Sequence, residues 1–188
     1  IIVVELHQEL SWFDIKVIER INKKVKLVLA PISKYLESQL KDKLSDFSKF
    51  NIVLAPMGVP DNFLTHEIKT RPEPLGNQLV GGYVGGFLSN GIDQNLIETI
   101  SCLSSYNQKV GEVRIKMKLV GIEEEYFSKV DEINEKSIET FVEVLPKIPH
   151  ATIPEEMDDV DFFILPYPDG INFQNRFPLK ALEYAALR

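Results

Sequence analysis

The residues best suited to chemistry lie in two loops, each of which follows an apolar stretch. The first loop, GGFLSNG at residues 85–91, is rich in glycine, so its backbone could approach a ligand closely. The second, residues 166–177, leads into LKALEYAAL and carries Asn175 and Arg176, with Lys180 just beyond. Two cations beside the N–H groups of a helix start would suit a diphosphate.

Glu183 and His7 are the other candidates. A carboxylate at Glu183, inside the last helix, could accept hydrogen bonds from the two hydroxyls of a ribose. The alternative is a surface glutamate paired with Lys180, three residues earlier. His7 follows the first apolar stretch and could act as an acid, a base or a donor, although a lone histidine is more often structural. The glycine loop has no GxGxxG or P-loop pattern and is equally explained as a tight turn.

Composition indicates an ordinary globular chain and excludes several classes. Of 188 residues, 44% are hydrophobic and 26% are charged. The single cysteine, Cys102, rules out an internal disulfide framework. The net charge of −7 argues against a nucleic-acid partner. No run of 18 apolar residues occurs, so we expect no membrane span. The single cysteine favours a reducing compartment, so we expect a cytoplasmic protein, for which Lys23, Lys24 and Lys26 allow a peripheral membrane contact.

Strands and helices alternate along the chain and must position these loops. Apolar, β-branched stretches predict strands at 1–6, 25–30, 51–55, 79–84, 114–120, 138–145 and 160–165. Apolar residues at helical spacing predict helices at 12–22, after Ser33, at 92–104, after Gly121, at 154–159 and from Pro178. This order predicts an α/β protein with Rossmann-like parallel sheets. Its ligands should lie at the carboxyl ends of the strands, in loops 6–11, 85–91, 146–153 and 166–177.

A segment rich in proline and glycine divides this alternating series. Residues 58–77 are therefore predicted to be a linker without regular structure between residues 1–57 and 78–188. The first part is too short for a complete Rossmann-like domain. Both ends look cut, so we expect a piece of a longer protein. The exposed sheet edges of an incomplete domain allow a homo-oligomer.

Several stretches resemble the group 1 (family 4) glycosyltransferases. IPHATIPEEMDDVDFFILPYPDG, followed by NRFPLKALEYAAL, is similar to the helix, strand, loop and E-x7-E motif of that family's donor domain. YVGGFLSNGIDQNLIETI resembles the start of the same domain. VKLVLAPISKYLESQL and IVLAPMGVPDNF resemble the end of the acceptor domain and its entry into the linker. These matches follow one another in order along nearly the whole chain.

The resemblance implies a GT-B fold, in which 1–57 ends the acceptor domain and 78–188 is a donor-binding domain truncated at its C-terminus. It implies retaining transfer of a sugar from a nucleotide-diphosphate sugar to a glycan, lipid or other acceptor, without a metal or other cofactor. The second Glu of E-x7-E, which holds the ribose in the family, is Glu183 here. The implied catalytic positions are His7 and Asn175, and the other donor-binding positions are Gly85, Gly86, Asn90, Arg176, Phe177, Pro178, Leu179 and Lys180.

The sequence departs from the family pattern at the donor site. Asn175 replaces the first Glu of E-x7-E, and the family's diphosphate-binding Arg and Lys fall on or near Gly86 and Asn90. Arg176 or Lys180 could partly substitute for that cationic pair. These departures favour one alternative, a non-catalytic nucleotide-sugar-binding relative. A GT-B sugar-nucleotide epimerase is a further alternative. We expect little transferase activity from the 188 residues alone, because most of the acceptor domain is absent.

Overall fold

The computed structural model describes residues 1–7, 10–67, 77–89, 91–167 and 178–187, and they form two compact units. The units are Ile1–Gly58 and Val59–Arg188. Each unit is built around its own parallel sheet, flanked by helices. The predicted α/β class with Rossmann-like parallel sheets is therefore confirmed.

The described residues of the first unit form three strands and two α-helices. In chain order they are β1 (Ile2–Leu6), α1 (Trp12–Asn22), β2 (Leu27–Pro31), α2 (Lys34–Lys43) and β3 (Asn51–Ile52), and the sheet order is β1-β2-β3. Each helix begins after a serine whose hydroxyl accepts a backbone N–H, Ser11 from Asp14 and Ser33 from Leu36. The apolar faces of both helices pack on the sheet around Leu29, the centre of this unit's core.

The first strand differs from its prediction. Its continuous apolar sequence predicts a buried strand, but β1 lies at a sheet edge, and Ile2 and Val3 are 47% and 61% exposed. The composition of a strand shows how apolar it is, but its burial also depends on its neighbours, and β1 pairs with β2 on one side only.

The second unit holds the longer alternating series. Its elements are α3 (Asp61–Leu64), β4 (Leu79–Val84), β5 (Leu88–Ser89), β6 (Ile92–Asp93), α4 (Leu96–Val110), β7 (Ile115–Val120), α5 (Phe127–Glu135), β8 (Val142–Leu145), α6 (Ile153–Glu156), β9 (Phe162–Phe163) and α7 (Leu179–Ala186). The main sheet has the order β8-β7-β4-β9 and is parallel throughout. The chain moves outward from β4 to β8 and then returns to the other side of β4. In such sheets a ligand binds where the order reverses, which here is between β4 and β9.

Two asparagines fix where two of these strands begin. Asn107, near the end of α4, accepts the backbone N–H groups of Arg114 and Ile115 at 3.0 and 3.2 Å and donates to the Ile115 carbonyl at 2.9 Å. Asn134 in α5 makes the same three kinds of bond at the start of β8. These side chains satisfy backbone groups that would otherwise be unpaired in the turns.

The glycines of β4 let neighbouring side chains approach the backbone more closely than a residue with a Cβ would allow. A Cβ added to Gly81 would lie 2.6 Å from Met117 Sδ and 2.7 Å from a ring carbon of Phe162. The sequence alone indicates that Gly81 and Gly82 weaken this strand. In the structure the missing side chains are what allow β7 and β9 to pack their large residues beside β4.

Other predicted elements are shifted or shortened. Ile92 does not open a helix but pairs in the β5–β6 hairpin, and α4 starts at Leu96. The helix predicted after Gly121 starts at Phe127, after one 3-10 turn. The segment 58–77 is not free of regular structure, because α3 lies within it and buries Phe63 at 1% exposure. Within the described ranges, each helix is too short or too polar to cross a membrane.

Candidate functional site

The segments that follow the strands of the main sheet in the second unit bring polar side chains to one edge of that sheet. Because the strands are parallel, the segments that follow them all emerge at their carboxyl ends. Gly85 and Gly86 follow β4, Glu123 follows β7, and His150 follows β8. The helix after β9, α7, carries Lys180 and Glu183. The contacts below join these segments into one cluster, the carboxyl-edge cluster.

Lys180 is held against β4. Its ammonium donates to the Tyr83 hydroxyl at 3.1 Å and lies 4.5 Å from the centre of the Tyr83 ring. The Tyr83 hydroxyl in turn donates to the Gly86 carbonyl at 2.8 Å. Gly85 has a φ of +129°, and a Cβ there would collide with the Lys180 ammonium. Glycine is therefore required at position 85 both for the backbone conformation and for the place of the lysine.

Burial shifts the pKa values of Lys180 and Tyr83. Burial lowers the pKa of Lys180, although the neighbouring carboxylates of Glu183 and Glu123 act in the opposite direction. Burial also raises the pKa of Tyr83 well above its usual value, so its hydroxyl stays protonated at neutral pH. A partly desolvated ammonium is a good partner for an anion, because an opposite charge favours its protonated form.

Glu183 is buried and its carboxylate has a partner from another loop. The residue is only 5% exposed, and its Oε1 lies 2.9 Å from Nε2 of His150. The ring centres of His150 and Phe63 lie 5.1 Å apart, so α3 packs behind the histidine. The alternative of a surface glutamate is therefore wrong. This buried carboxylate lies near the reversal of strand order, which is where open parallel sheets bind their ligands.

Tyr184 fixes the helix that carries both charged residues. Its hydroxyl accepts the backbone N–H of Val84 at 2.9 Å, and its ring stacks on Phe163 with centres 4.2 Å apart. Lys180 and Glu183 lie one turn and one residue before it on α7. Docking Tyr184 between β4 and β9 therefore sets the position of both. No local sequence signal indicates this role, because the two contacts join residues that are about 100 and 20 positions apart in the chain.

Glu123 is a cluster member that sequence reasoning missed. Its negative charge suggests a helix first turn, but the residue precedes the 3-10 turn and points to the glycine loop. Its Oε2 accepts the Phe87 backbone N–H at 2.8 Å, and a Cβ on Gly86 would overlap the carboxylate. Gly86 is thus a position at which this fold admits no larger side chain while Glu123 stays in place.

The remaining predicted site residues divide into three groups. Pro178 and Leu179 form the start of α7, with Pro178 at the N-cap rather than the first helical position. His7 belongs to the first unit, directly after β1, where its exposed ring lies 3.2 Å from Glu5 Oε2. Asn90, Asn175, Arg176 and Phe177 lie outside the described residues. Among the residues that are described, no group of His, Cys, Asp or Glu is arranged to hold a metal ion.

Comparison with known proteins places this arrangement in a fold. No family model and no curated protein matches the sequence. Among solved structures, an alpha,alpha-trehalose-phosphate synthase (UDP-forming) from Burkholderia vietnamiensis aligns with 99% of this chain and 49% of its own, with a TM-score of 0.62 and 13% identity. TarM aligns with 86% of this chain and 30% of its own, with a TM-score of 0.50 and 11% identity.

The chain therefore spans about half the length of the synthase that it resembles. At these identities the likeness concerns the fold and leaves the chemistry to be argued from the residues. Together with the parallel sheets and the order of the second sheet, it shows that this chain has the Rossmann-like α/β fold found in GT-B glycosyltransferases.

Proposed function

We propose that the second unit is the donor site of a retaining glycosyltransferase, which transfers a sugar from a nucleotide-diphosphate sugar. The observation that supports this most is Glu183, a buried carboxylate at the position of the family's ribose-binding glutamate. Its place beyond the carboxyl ends of β4 and β9, where the strand order reverses, is where such folds bind nucleotides. The likeness to UDP-forming trehalose-phosphate synthase is consistent with this class of donor.

The proposal gives each charged group one task. The Glu183 carboxylate accepts hydrogen bonds from the two ribose hydroxyls, and His150 holds that carboxylate in place through the 2.9 Å contact. The Lys180 ammonium and the N–H groups at the start of α7 balance the diphosphate, together with Arg176. His7 and Asn175 act at the reaction centre, and no further cofactor takes part.

The proposal is tested by calorimetric titration of the chain with UDP, GDP and ADP. Glu183→Gln would replace two charge-assisted hydrogen bonds, each worth about 1.5 kcal/mol, by at most one neutral bond, so affinity should fall roughly 10- to 100-fold. Glu132→Gln, which removes an exposed charge from α5, is the matched control and should bind as the wild type does. The 2′,3′-dideoxy form of the best nucleotide should bind weakly and equally to wild type and Glu183→Gln.

Two results would contradict the proposal. One is the absence of binding by all three nucleotides at millimolar concentration. The other is a Glu183→Gln variant that loses as much affinity for the dideoxy nucleotide as for the parent nucleotide. That result would show that the carboxylate does not act on the ribose.

A non-catalytic nucleotide-sugar-binding protein is the second candidate. It is favoured by Gly86, which stands where the family has a cation and faces the carboxylate of Glu123 instead. Donor turnover separates the candidates. A transferase carrying both domains releases nucleoside diphosphate from its sugar donor, whereas a binding protein holds the donor intact.

A further inference from the structure

We infer that Glu123 is a specificity-determining residue, which holds the glycine loop in place of a phosphate and keeps the affinity for diphosphates low. This inference rests on the proposed nucleotide site. It concerns a residue to which the resemblance assigns no role, and it predicts that removing a charge strengthens binding.

The contacts of Glu123 are those of an anion bound to a loop. The Phe87 N–H, the first amide after the two glycines, donates to Oε2 at 2.8 Å. Backbone N–H groups of glycine-rich loops at strand ends are donors that phosphates use in nucleotide sites. Here a carboxylate of the protein itself satisfies that donor, so a phosphate would have to displace it.

The other oxygen of the same carboxylate explains the glycine at position 86. A Cβ on Gly86 would overlap Oε1 of Glu123. The loop therefore offers neither a side-chain cation nor a free Phe87 amide on this side. The negative charge at Glu123 stands where a positive charge would be needed to hold a diphosphate.

The charge balance of the carboxyl-edge cluster leads to the same conclusion. Lys180 is a partly buried cation, and the carboxylates of Glu183 and Glu123 both act on it. Glu183 is needed for the ribose in the proposed site. Glu123 adds a like charge close to the incoming diphosphate, and like charges brought together in a binding site weaken binding. The Lys180 ammonium therefore has to offset Glu123 as well as part of the charge of the ligand.

The test compares Glu123→Gln with Glu124→Gln by calorimetric titration. Glu124 is the exposed next residue, at the start of the 3-10 turn, so its variant removes the same formal charge outside the cluster. Each protein is titrated with the nucleoside diphosphate that binds best among UDP, GDP and ADP and with the matching nucleoside. We expect Glu123→Gln to bind the diphosphate roughly tenfold more tightly than wild type, with nucleoside affinity unchanged. Glu124→Gln should change neither by more than about twofold.

A second variant separates the amide from the charge. Gly86→Ala keeps the charge of Glu123 but pushes its carboxylate off the Phe87 amide, so it should strengthen diphosphate binding by a smaller factor than Glu123→Gln. Thermal unfolding without ligand checks that both variants fold, and a gain in affinity is a result that structural damage does not produce.

Three outcomes decide the inference. Tighter diphosphate binding in Glu123→Gln but not in Glu124→Gln supports it. Unchanged or weaker diphosphate binding in a folded Glu123→Gln overturns it while leaving the nucleotide site intact. If wild type and Glu123→Gln both fail to bind any nucleotide, the proposed function is what fails, and the inference fails with it.

Discussion

The close packing of β4 gives a sharp prediction for Gly82→Ala. The added methyl group would lie 2.6 Å from Met157 Cε, 2.8 Å from Val160 Cγ1 and 3.0 Å from Phe163 Cδ1, whereas ordinary contacts begin at about 3.4 Å. The end of the methionine can move, but Val160 lies just before β9 and Phe163 belongs to it, so the backbone of this segment holds both side chains. Overpacking of this kind costs about 1–3 kcal/mol, which for a unit of this size lowers the melting temperature by roughly 4–12 °C.

The assay is urea and thermal unfolding followed by circular dichroism, with Gly58→Ala as the control. Gly58 has open space around its Cβ position, so alanine there should be neutral or slightly stabilising. Combining Gly82→Ala with Val160→Ala should restore part of the loss, with a coupling of about 0.5 kcal/mol or more. Wild-type stability of Gly82→Ala, or strict additivity with Val160→Ala, would refute the packing that we describe between β4 and the residues around β9.

Two further predictions concern stability. Burial lowers the pKa of Lys118, but its bonds to Asp159 and Glu156 outweigh this and leave the pKa raised. Their stabilisation is complete below the usual lysine pKa of 10.5 and is lost as the pH rises through the higher folded value. Lys118→Met should therefore be less stable than the wild type at pH 8. In urea titrations above pH 10, its stability should depend less on pH than that of the control Lys116→Met, on the same strand. Parallel dependence of the two variants on pH would contradict this. Ser33→Ala should lose about 1 kcal/mol by removing the N-cap of α2, and Ser38→Ala, in the exposed middle of that helix, should lose nothing; equal urea midpoints would argue against the cap.

Local signals in the sequence predicted the elements that depend on local forces. The bounds of α1 and β4 agree with the structure residue for residue, and Ser33 caps α2 as expected. These features follow from apolar periodicity and from a hydroxyl placed before the first turn. The same local rules misjudged Ile92, whose apolar side chain fits a helix stripe, because the hairpin that contains it forms by pairing with Leu88–Ser89.

For the candidate site, the sequence predicted which segments come together but not which side chains contact each other. The alternation of strands and helices implied that the segments at Gly85 and Lys180 would meet at one edge of a sheet, and they do. The partners themselves were not foreseen. Tyr83 meets Lys180, and His150 meets Glu183, across 97 and 33 residues of chain, and no local spacing encodes either pair. Whether these residues bind a nucleotide sugar stays a prediction.

The bond from Val84 to Tyr184 makes one amide a reporter of the whole helix α7. The proton on that nitrogen is covered by a side chain of α7 rather than by a neighbouring strand. It can exchange with deuterium when the helix lifts away from β9, even while the rest of β4 remains paired. The exchange rate of this single amide therefore measures how often α7 opens and moves Lys180 and Glu183 away from the sheet together. A ligand bound to α7 would slow this exchange without contacting Val84.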